Sequence, residues 1–495
     1  AKRDLVIYEL HVGALTNEGT LGAAIEQIPR WQKLGVTAIE LMPVAQTPGK
    51  WNWGYDGVGL FAVNHNYGTP DDLKSFVDAC HAAGLAVILD VVYNHVGPEG
   101  NYWGEFGPYY SPKRRTPWGD GFNFDGRRSA DVRKFVVDNA LFWLNEYHLD
   151  GLRLDAAHFM RDDSDVSILD AIRQATDEFE TDAGRTIHLI AETNVYDPDV
   201  LRDDRDRRPY DAIWCDCLMH AIYSQLVPQL QLTGREYRGA SDVAEVLAHG
   251  RLYVGRDYER RTAERGEELQ TSADALQHVP SLVMGLQTHD AVGNHPQGKR
   301  IHQLASKAAQ RAAAALTMLY PSIPIVFMGE EIAAESPFPF FADFKDRRLR
   351  RAVDKGRMEE YPHHDWGDFP LPSSRRTFLM ARLDESASAD AEMFAWYQKL
   401  LAFRKEGIAE GWLSVDRLAT ACDAERDLFT LRYGHPQGGA ICLYVRLARG
   451  ANGAKETVET PIDGQVVLSS QPNIEARDGR VLLQSWHAVL SRSGT

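Results

Sequence analysis

The sequence has 495 residues with hydrophobic and charged fractions of 44% and 25%, the composition of an ordinary globular protein with a large core. Its formal net charge of −16 is unfavourable for a surface that contacts phosphates, so we expect no nucleic acid partner. The five cysteines lack the spacing of a disulfide framework or a zinc site, which predicts reduced thiols and a cytoplasmic protein.

The sequence also argues against a membrane partner. The first residues pass from charged side chains directly into a strand-like pattern, without the apolar region of a signal peptide. Residues 312–329 carry no charge and are about as long as a membrane span, but Pro321 and Pro324 divide them. A helix, a turn and a buried strand are therefore expected there.

Eight short apolar segments alternate with helical segments along the first 330 residues. The strand-like segments are residues 5–11, 36–44, 86–89, 151–155, 186–192, 211–216, 281–290 and 323–329. Helical patterns cover residues 23–34, 70–84, 131–147 and 307–319. This alternation indicates a parallel sheet, and eight strands are the number that closes a barrel. The sequence therefore predicts an α/β fold built on a (β/α)8 TIM barrel.

Two regions depart from the alternation. Residues 96–128, after the third strand, are rich in aromatic residues, glycine and proline and have no periodicity, which predicts a short irregular insertion. Beyond about residue 412, alternating short strands such as 428–433 and 440–445 follow a helical pattern at 391–405. We therefore expect a catalytic barrel at residues 1–408 and a C-terminal antiparallel β-sandwich domain at residues 409–495.

Charged side chains stand inside the fourth predicted strand. Side chains alternate along a strand, so Arg153 and Asp155 share one face and Leu152 and Leu154 the other. A buried charge is costly unless it is paired, so a purely structural ion pair is one interpretation. The other interpretation is a functional site, because other predicted strands end in similar residues. These are Asp90 to His95, Glu192, and His289 with Asp290.

This set suits glycoside hydrolysis. The reaction needs one carboxylate as nucleophile and one carboxylic acid to protonate the leaving oxygen. Arg153 would keep Asp155 ionised, whereas the charges of Asp155 and Asp290 would raise the pKa of Glu192. An aromatic face such as that of Tyr55 can stack on a sugar ring. A glycine-rich phosphate loop, a Ser-His-Asp order and a zinc ligand set are absent from the sequence.

Four stretches carry a resemblance to a known family. The segments DVVYNH from Asp90, GLRLD from Gly151, AE at 191–192 and HD at 289–290 match the signature regions of the α-amylase family, in order. The resemblance implies a retaining (β/α)8 enzyme that acts on α-glucans. It assigns Asp155 as nucleophile, Glu192 as acid/base and Asp290 as transition-state stabiliser. It also implies substrate-binding roles for Tyr55 as a stacking platform and for Asp90, His95, Arg153 and His289.

Within that family, longer stretches are similar to the maltooligosyltrehalose trehalohydrolases, which hydrolyse the α-1,4 bond next to a terminal trehalose unit. They are WGYDGVGLFAVNHNYGTPDDL, TPWGDGFNFDG at 116–126, LDAAHFMRDDSDVSIL and GEEIAAESPFPFFADF from Gly329. The sequence departs from the family pattern at Thr193-Asn194, at residues 214–220 and at residues 287–294. Members of that group usually begin with a β-sandwich domain, whereas this sequence starts almost directly in the first predicted strand.

Three functions remain open from the residues. The first is release of trehalose from maltooligosyltrehalose. The second is another α-glucan activity, either a general maltooligosaccharide hydrolase or a branching-type transferase, and the third is a non-catalytic glucan-binding barrel. Asn94 resembles a calcium-ligand position of many amylases, but no Asp-rich calcium loop accompanies it, so we predict no metal and no cofactor. Glu330 and Glu331 are expected either to line the cleft or to be solvated.

Overall fold

The computed structural model describes residues 4–494, with gaps. The gaps are residues 202–207, 231–234, 255–258, 260–262, 264–275, 362–365, 384–388, 451–456, 473 and 475. Among the described residues, no helix has both the length and the apolar character needed to cross a membrane.

Eight parallel strands close into a barrel. In chain order they are Ile7–Leu10, Ala38–Leu41, Ala86–Val91, Gly151–Leu154, His188–Asn194, Ala212–Cys215, Leu282–Gly285 and Ile323–Phe327. Each strand pairs with its neighbours in sequence, and the first strand also pairs with the eighth. The predicted (β/α)8 barrel is therefore confirmed.

The helices pack around the barrel and beyond it. The α-helices are Val12–Leu15, Leu21–Ile25, Ile28–Leu34, Pro70–Ala82, Trp103–Phe106, Ser129–Glu146, Ile168–Ala183, Cys217–Leu226, Ala240–His249, His289–Gly293, Ile301–Leu304, Lys307–Leu319, Arg347–Glu360, Arg375–Ala381 and Ala391–Glu410. Short 3-10 helices are Ala157–Phe159, Pro198–Leu201, Val279–Ser281, Glu330–Ile332 and Val415–Arg417. The helix expected at 23–34 is split in two, because Pro29 lacks an N–H and is accommodated in the first turn of a new helix.

The interior of the barrel is apolar at its base. Ile7, Ile88 and Ile190 belong to one buried cluster with residues of the sixth, seventh and eighth strands. Leu152 and Leu154 belong instead to the larger cluster that contains the surrounding helices. The two faces of the fourth strand are thus separated as its alternation predicted, which leaves Arg153 on the inner face.

The seventh strand is shorter than expected. It ends at Gly285, and His289 and Asp290 do not end the strand but open the helix His289–Gly293. The Thr288 side chain caps this helix by accepting a hydrogen bond from the Ala291 N–H. The prediction that Asp290 stands on the seventh strand is therefore wrong.

The insertion after the third strand is ordered. Its antiparallel strands Tyr110–Thr116 and Gly119–Phe122 follow the helix Trp103–Phe106, so part of the segment expected to be irregular forms a short helix and a hairpin. A second short antiparallel pair joins Ala45–Gln46 to Gly59–Val63.

The C-terminal region contains two antiparallel sheets. The first has Leu418–Asp423, Leu428–Gly434, Ala440–Leu447, Trp486–Ser493 and Gln465–Ser469 in spatial order. The second has Val458–Pro461, Arg480–Leu483 and Ala476–Arg477. Residues of both sheets share one buried cluster, which includes Tyr444 and Leu483, as in a β-sandwich. The predicted fold class is confirmed.

Candidate active site

One arginine joins three carboxylates above the apolar base of the barrel. Arg153 Nη1 lies 2.6 Å from Asp90 Oδ2 and 3.0 Å from Asp155 Oδ1. Its Nη2 lies 2.9 Å from Glu192 Oε2. The guanidinium carbon also lies 4.7 Å from the ring centroid of Trp214 on the sixth strand. Four consecutive barrel strands therefore converge on one buried cation.

Asp155 follows the last residue of the fourth strand. Asn94 Nδ2 donates to its Oδ2 at 2.7 Å, and Arg153 holds the other oxygen. Burial and then the charge of Glu192 raise the pKa of Asp155, while Arg153 and His95 act in the opposite direction. The counter-charge expected from the sequence is present, but it does not outweigh burial. The carboxylate is held at both oxygens by fixed partners.

Glu192 lies within the fifth strand and is also held from two sides. Its Oε2 accepts from the backbone N–H of Ala156 at 2.6 Å as well as from Arg153. Ala156 has φ of 42°, a left-handed conformation that is uncommon for a residue with a side chain. The backbone turn after Asp155 therefore supplies a donor to the second carboxylate.

Asp290 is the most accessible of the three predicted catalytic residues. Its side chain is 44% exposed, whereas that of Asp155 is 13% exposed. His289 Nε2 lies 3.8 Å from Asp290 Oδ1. The first turn of a helix, rather than a strand end, thus presents this carboxylate beside the buried network.

Tyr55 links two of the predicted substrate-binding residues. Its hydroxyl donates to Asp90 Oδ2 at 2.7 Å, and the Tyr55 hydroxyl oxygen lies 2.9 Å from His289 Nε2. The Tyr55 and His289 rings are stacked with centroids 5.3 Å apart. Burial raises the pKa of Asp90 to about 7 despite Arg153. The half-buried Tyr55 ring is therefore fixed at the hydroxyl end.

His95 stands on the other side of Asp155. Its Nδ1 contacts Asn94 Oδ1, and burial lowers the pKa of His95 against the charges of Asp155 and Asp56. The Trp118 ring lies 5.6 Å from the His95 ring and is 51% exposed. Trp118 was not among the predicted site residues, although it belongs to the family-like stretch at 116–126.

Two further acidic residues lie at the site, and neither was predicted from the sequence. Glu9 on the first strand and Glu40 on the second are each 1% exposed and lie beside the Arg153 network. Burial and then Glu9 raise the pKa of Glu40 well above its usual value. Both residues occupy the inward positions of their strands, so the same alternation that selected Arg153 could have found them.

Two segments that depart from the family pattern meet beside the carboxylates. Thr288 Oγ1 lies 3.9 Å from Met219 Sδ. Asp216 accepts from Trp214 Nε1 at 2.9 Å, and burial, then the charges of Glu192 and Asp290, raise its pKa well above the usual value. The segments 214–220 and 287–294 therefore adjoin one another and the predicted acid/base.

Glu330 and Glu331 neither line the cleft nor face solvent. Both are fully buried. Glu330 accepts from the Tyr397 hydroxyl at 2.7 Å, and Glu331 pairs with Arg30 and with the Tyr8 hydroxyl. Both alternatives that the sequence suggested are wrong, because partners distant in sequence satisfy these carboxyl groups inside the core.

In the part of the chain that the structure describes, no group of three or more histidine, cysteine or acidic side chains is arranged to hold a metal ion. Asn94, the calcium-like position, directs its amide nitrogen to Asp155 rather than its oxygen to an open site.

Comparison with known proteins identifies the family. Residues 10–118 match the catalytic-domain model of α-amylase. A malto-oligosyltrehalose trehalohydrolase of Saccharolobus solfataricus is 38% identical over 478 residues, which cover 96% of this chain and 79% of that protein. A crystal structure of a putative α-amylase from Salmonella typhimurium is 33% identical, with a TM-score of 0.85, and the match covers 100% of this chain and 82% of that one.

A more distant match concerns a different activity. A 1,4-α-glucan branching enzyme of Vibrio parahaemolyticus is 40% identical over 173 residues, but the match covers only 32% of this chain and 23% of that protein. The trehalohydrolase match, in contrast, includes nearly every element described above. The chain therefore belongs to the α-amylase family and, within it, to the malto-oligosyltrehalose trehalohydrolase family.

Proposed function

We propose that the protein hydrolyses α-1,4-glucosidic bonds with retention and releases trehalose from maltooligosyltrehalose. The observation that carries the proposal is the buried network in which Arg153 contacts three carboxylates. It occurs in a chain whose similarity to a named malto-oligosyltrehalose trehalohydrolase covers 96% of its length. The expected partner is an α-glucan or maltooligosyltrehalose substrate, and we expect no nucleic acid or membrane partner. The five cysteines are all unpaired thiols, which supports a cytoplasmic location.

Asp155 acts as the nucleophile in this proposal. Its fixed position supports this role, because Asn94 and Arg153 leave the carboxylate little freedom to rotate away from the sugar. The carboxylate oxygen forms a bond to the anomeric carbon while the glycosidic bond breaks, and water later cleaves the glycosyl-enzyme ester.

Glu192 is the proposed acid/base. It gives its proton to the leaving glycosidic oxygen in the first step and takes a proton from the attacking water in the second. Its contact with Arg153 ties it to the same guanidinium as Asp155, on the neighbouring strand. The two carboxyl groups therefore act on one bond, and Asp290 stabilises the positive charge that develops on the sugar.

Tyr55, His95 and His289 form the proposed binding site of the sugar that Asp155 attacks. The half-buried Tyr55 ring supports a stacking contact, and its hydroxyl joins His289 to Asp90. His95 lies close enough to Asp155 for the charge of that carboxylate to act on its ring. Arg153 and Asp90 hold this arrangement from below, since their side chains are almost completely buried.

We assign substrate choice to the segments 214–220 and 287–294. Trehalose has no reducing end and is bent, so its binding site must accept that bend beyond the cleaved bond. These two segments touch each other next to Glu192, which protonates the oxygen on that side of the bond. The alternatives are a general maltooligosaccharide hydrolase and a branching-type transferase, and a non-catalytic barrel is disfavoured by the complete carboxylate set.

We also propose that the catalytic unit comprises residues 1–408, with the insertion at 96–128, and that residues 409–495 form the C-terminal domain. The two are joined by contacts such as the hydrogen bond from the Tyr433 hydroxyl to the Leu319 carbonyl at 2.7 Å. The strands of the two C-terminal sheets begin only at residue 418, after the helix Ala391–Glu410.

The deciding experiment compares maltooligosyltrehalose with linear maltooligosaccharides of the same length. An unpaired buried polar group costs about 1–3 kcal/mol, so a site built for trehalose should prefer its own substrate roughly ten- to hundredfold. The products are separated by chromatography over time. Early release of trehalose supports the proposal. Equal rates on both substrates indicate a general hydrolase, and longer or branched products indicate a transferase.

A further inference from the structure

The carboxylate of Glu9 contacts His289 through both of its oxygens. Oε2 accepts from the His289 backbone N–H at 2.9 Å, and Oε1 contacts the ring nitrogen Nδ1. The two residues are 280 positions apart in the chain, and both are almost completely buried. One side chain of the first strand therefore fixes both the backbone and the ring of a residue beyond the seventh strand.

The contact on the opposite side of the ring favours a proton on Nε2. The Tyr55 hydroxyl donates to Asp90 Oδ2 at 2.7 Å, so its oxygen has a lone pair to offer to His289 Nε2, which lies 2.9 Å away. Glu9 is an acceptor at Nδ1 when it is ionised. Both ring nitrogens then donate, which is the hydrogen-bonding state of an imidazolium.

We propose that Glu9 is a positioning residue for the hydrolysis: it holds His289 as an imidazolium whose Nε2–H is directed at the Tyr55 hydroxyl beside Asp290. The proposal rests on the proposed function, in which His289 and Tyr55 contact the sugar attacked by Asp155. Glu9 acts only through His289, because its carboxylate lies behind the histidine ring and is 1% exposed. The chain of contacts continues through Asp90 to Arg153.

The electrostatics favour the same protonation state. Burial lowers the pKa of His289, but the charge of Glu9 and its hydrogen bond outweigh burial and raise the pKa to about 9. Asp290 also raises it, whereas Arg153 lowers it. The titratable or charged groups that face His289 from the packed elements are Glu9, His11, Glu40, Tyr55, Arg153 and Asp290, and Asp90 is joined to it through the Tyr55 hydroxyl.

The first test measures the His289 pKa directly, without substrate. Glu9→Gln keeps the size of the side chain and removes its charge. Glu40→Gln is the matched control, since Glu40 is equally buried on the next strand. The histidine rings of the full chain are labelled with ¹⁵N, and the His289 signals are assigned by their loss in His289→Asn. We expect the His289 pKa to fall by at least one unit in Glu9→Gln and to stay raised in Glu40→Gln.

The second test is a double-mutant cycle in kcat. Glu9→Gln replaces a hydrogen bond between two charged groups by a weaker one, so the proposed orientation of His289 in the transition state is less well held. We therefore expect kcat to fall roughly ten- to hundredfold, with a smaller change in KM. In the His289→Asn background the same substitution should change kcat less than about threefold. Any α-glucan that the wild-type protein cleaves serves as substrate, so the cycle does not depend on trehalose release. Thermal unfolding checks that each variant is folded.

Two results would overturn the proposal. One is an unchanged His289 pKa in folded Glu9→Gln. The other is an equal loss of kcat in both backgrounds, which would mean that Glu9 acts independently of His289. A third result separates the two proposals. If Glu9→Gln lowers the His289 pKa and lowers kcat only when His289 is present, the positioning role stands. If no trehalose is released from any substrate in the same experiments, only the proposed substrate fails.

Discussion

Asn94 donates from one amide nitrogen to both the backbone carbonyl of Asp155, at 2.9 Å, and its Oδ2, at 2.7 Å. The polar segment after the third strand therefore restrains the residue that directly follows the fourth strand. Because Arg153 holds the remaining oxygen, Asp155 is restrained at three points. This restraint favours the proposed nucleophile role, since a correct orientation of the carboxylate lowers the entropy cost of attack on one carbon atom.

Asp155→Asn should abolish turnover while folding and glucan binding are retained. The nucleophile forms the covalent intermediate, and an amide cannot replace it. The amide oxygen can still accept from Arg153, and Asn94 can still donate to the backbone carbonyl at this position although its bond to the side chain is lost, so the barrel should stay folded. Steady-state kinetics and binding of a maltooligosaccharide by calorimetry measure the two effects. Glu359→Gln, an exposed position on the helix Arg347–Glu360, is the control. Substantial residual turnover in Asp155→Asn would contradict the assignment of the nucleophile.

Glu192→Gln should affect substrates according to their leaving groups. A natural glucan needs a proton on its leaving oxygen, whereas an activated aryl glycoside leaves with little protonation. We therefore expect kcat to fall by several orders of magnitude on glucan and by much less in the first step on an aryl maltooligoside. Pre-steady-state release of the aryl alcohol reports that step. Equal losses on both substrates would assign Glu192 a structural role instead.

Tyr55→Phe should lower kcat more than it raises KM. The substitution keeps the aromatic face but removes the hydroxyl that joins Asp90 to His289. Asp90 and His289 then lose this buried contact, which costs about 1–3 kcal/mol and corresponds to a roughly ten- to hundredfold loss of kcat.

The matched variant is Tyr55→Ala, which removes the face as well. It should raise KM in addition, because the proposed stacking contact with the sugar would then be lost. If Tyr55→Phe changes only KM, the hydroxyl contacts the substrate rather than orienting His289.

Glu330 should make stability fall with rising pH. Burial raises the pKa of this carboxyl group to about 8 from an ordinary value of 4.5. Between these values the folded chain binds more protons at this position than the unfolded chain, so the free energy of unfolding decreases as pH rises. The slope is at most about 1.4 kcal/mol per pH unit.

Glu330→Gln should remove this contribution and keep the Tyr397 hydrogen bond. Urea unfolding at pH 5, 6, 7 and 8 provides the comparison. As pH rises, the free energy of unfolding of the wild type should fall relative to that of the variant. A difference that stays constant from pH 5 to 8 would show that Glu330 is ionised throughout this range.

The sequence by itself determined the barrel and the inner face of the fourth strand. Side-chain direction alternates with every residue of a strand, so the positions of Arg153 and Asp155 relative to Leu152 and Leu154 follow from local geometry alone. Eight repeats of a strand and a helix favour closure because a parallel sheet must be covered by helices. The resemblance at the four signature stretches then indicated which of the inward carboxylates belong to the candidate site.

Only the tertiary structure decided which distant residues complete that site and which carboxylates are buried. The contact between Glu9 and His289 joins residues 280 positions apart, and no local pattern encodes it. The same holds for Glu330, whose partner Tyr397 comes from a helix outside the barrel, and for Asp155, whose raised pKa reflects burial more than the adjacent Arg153. Depth of burial and long-range pairing depend on how the whole barrel closes and packs, because both are properties of many elements together rather than of one strand.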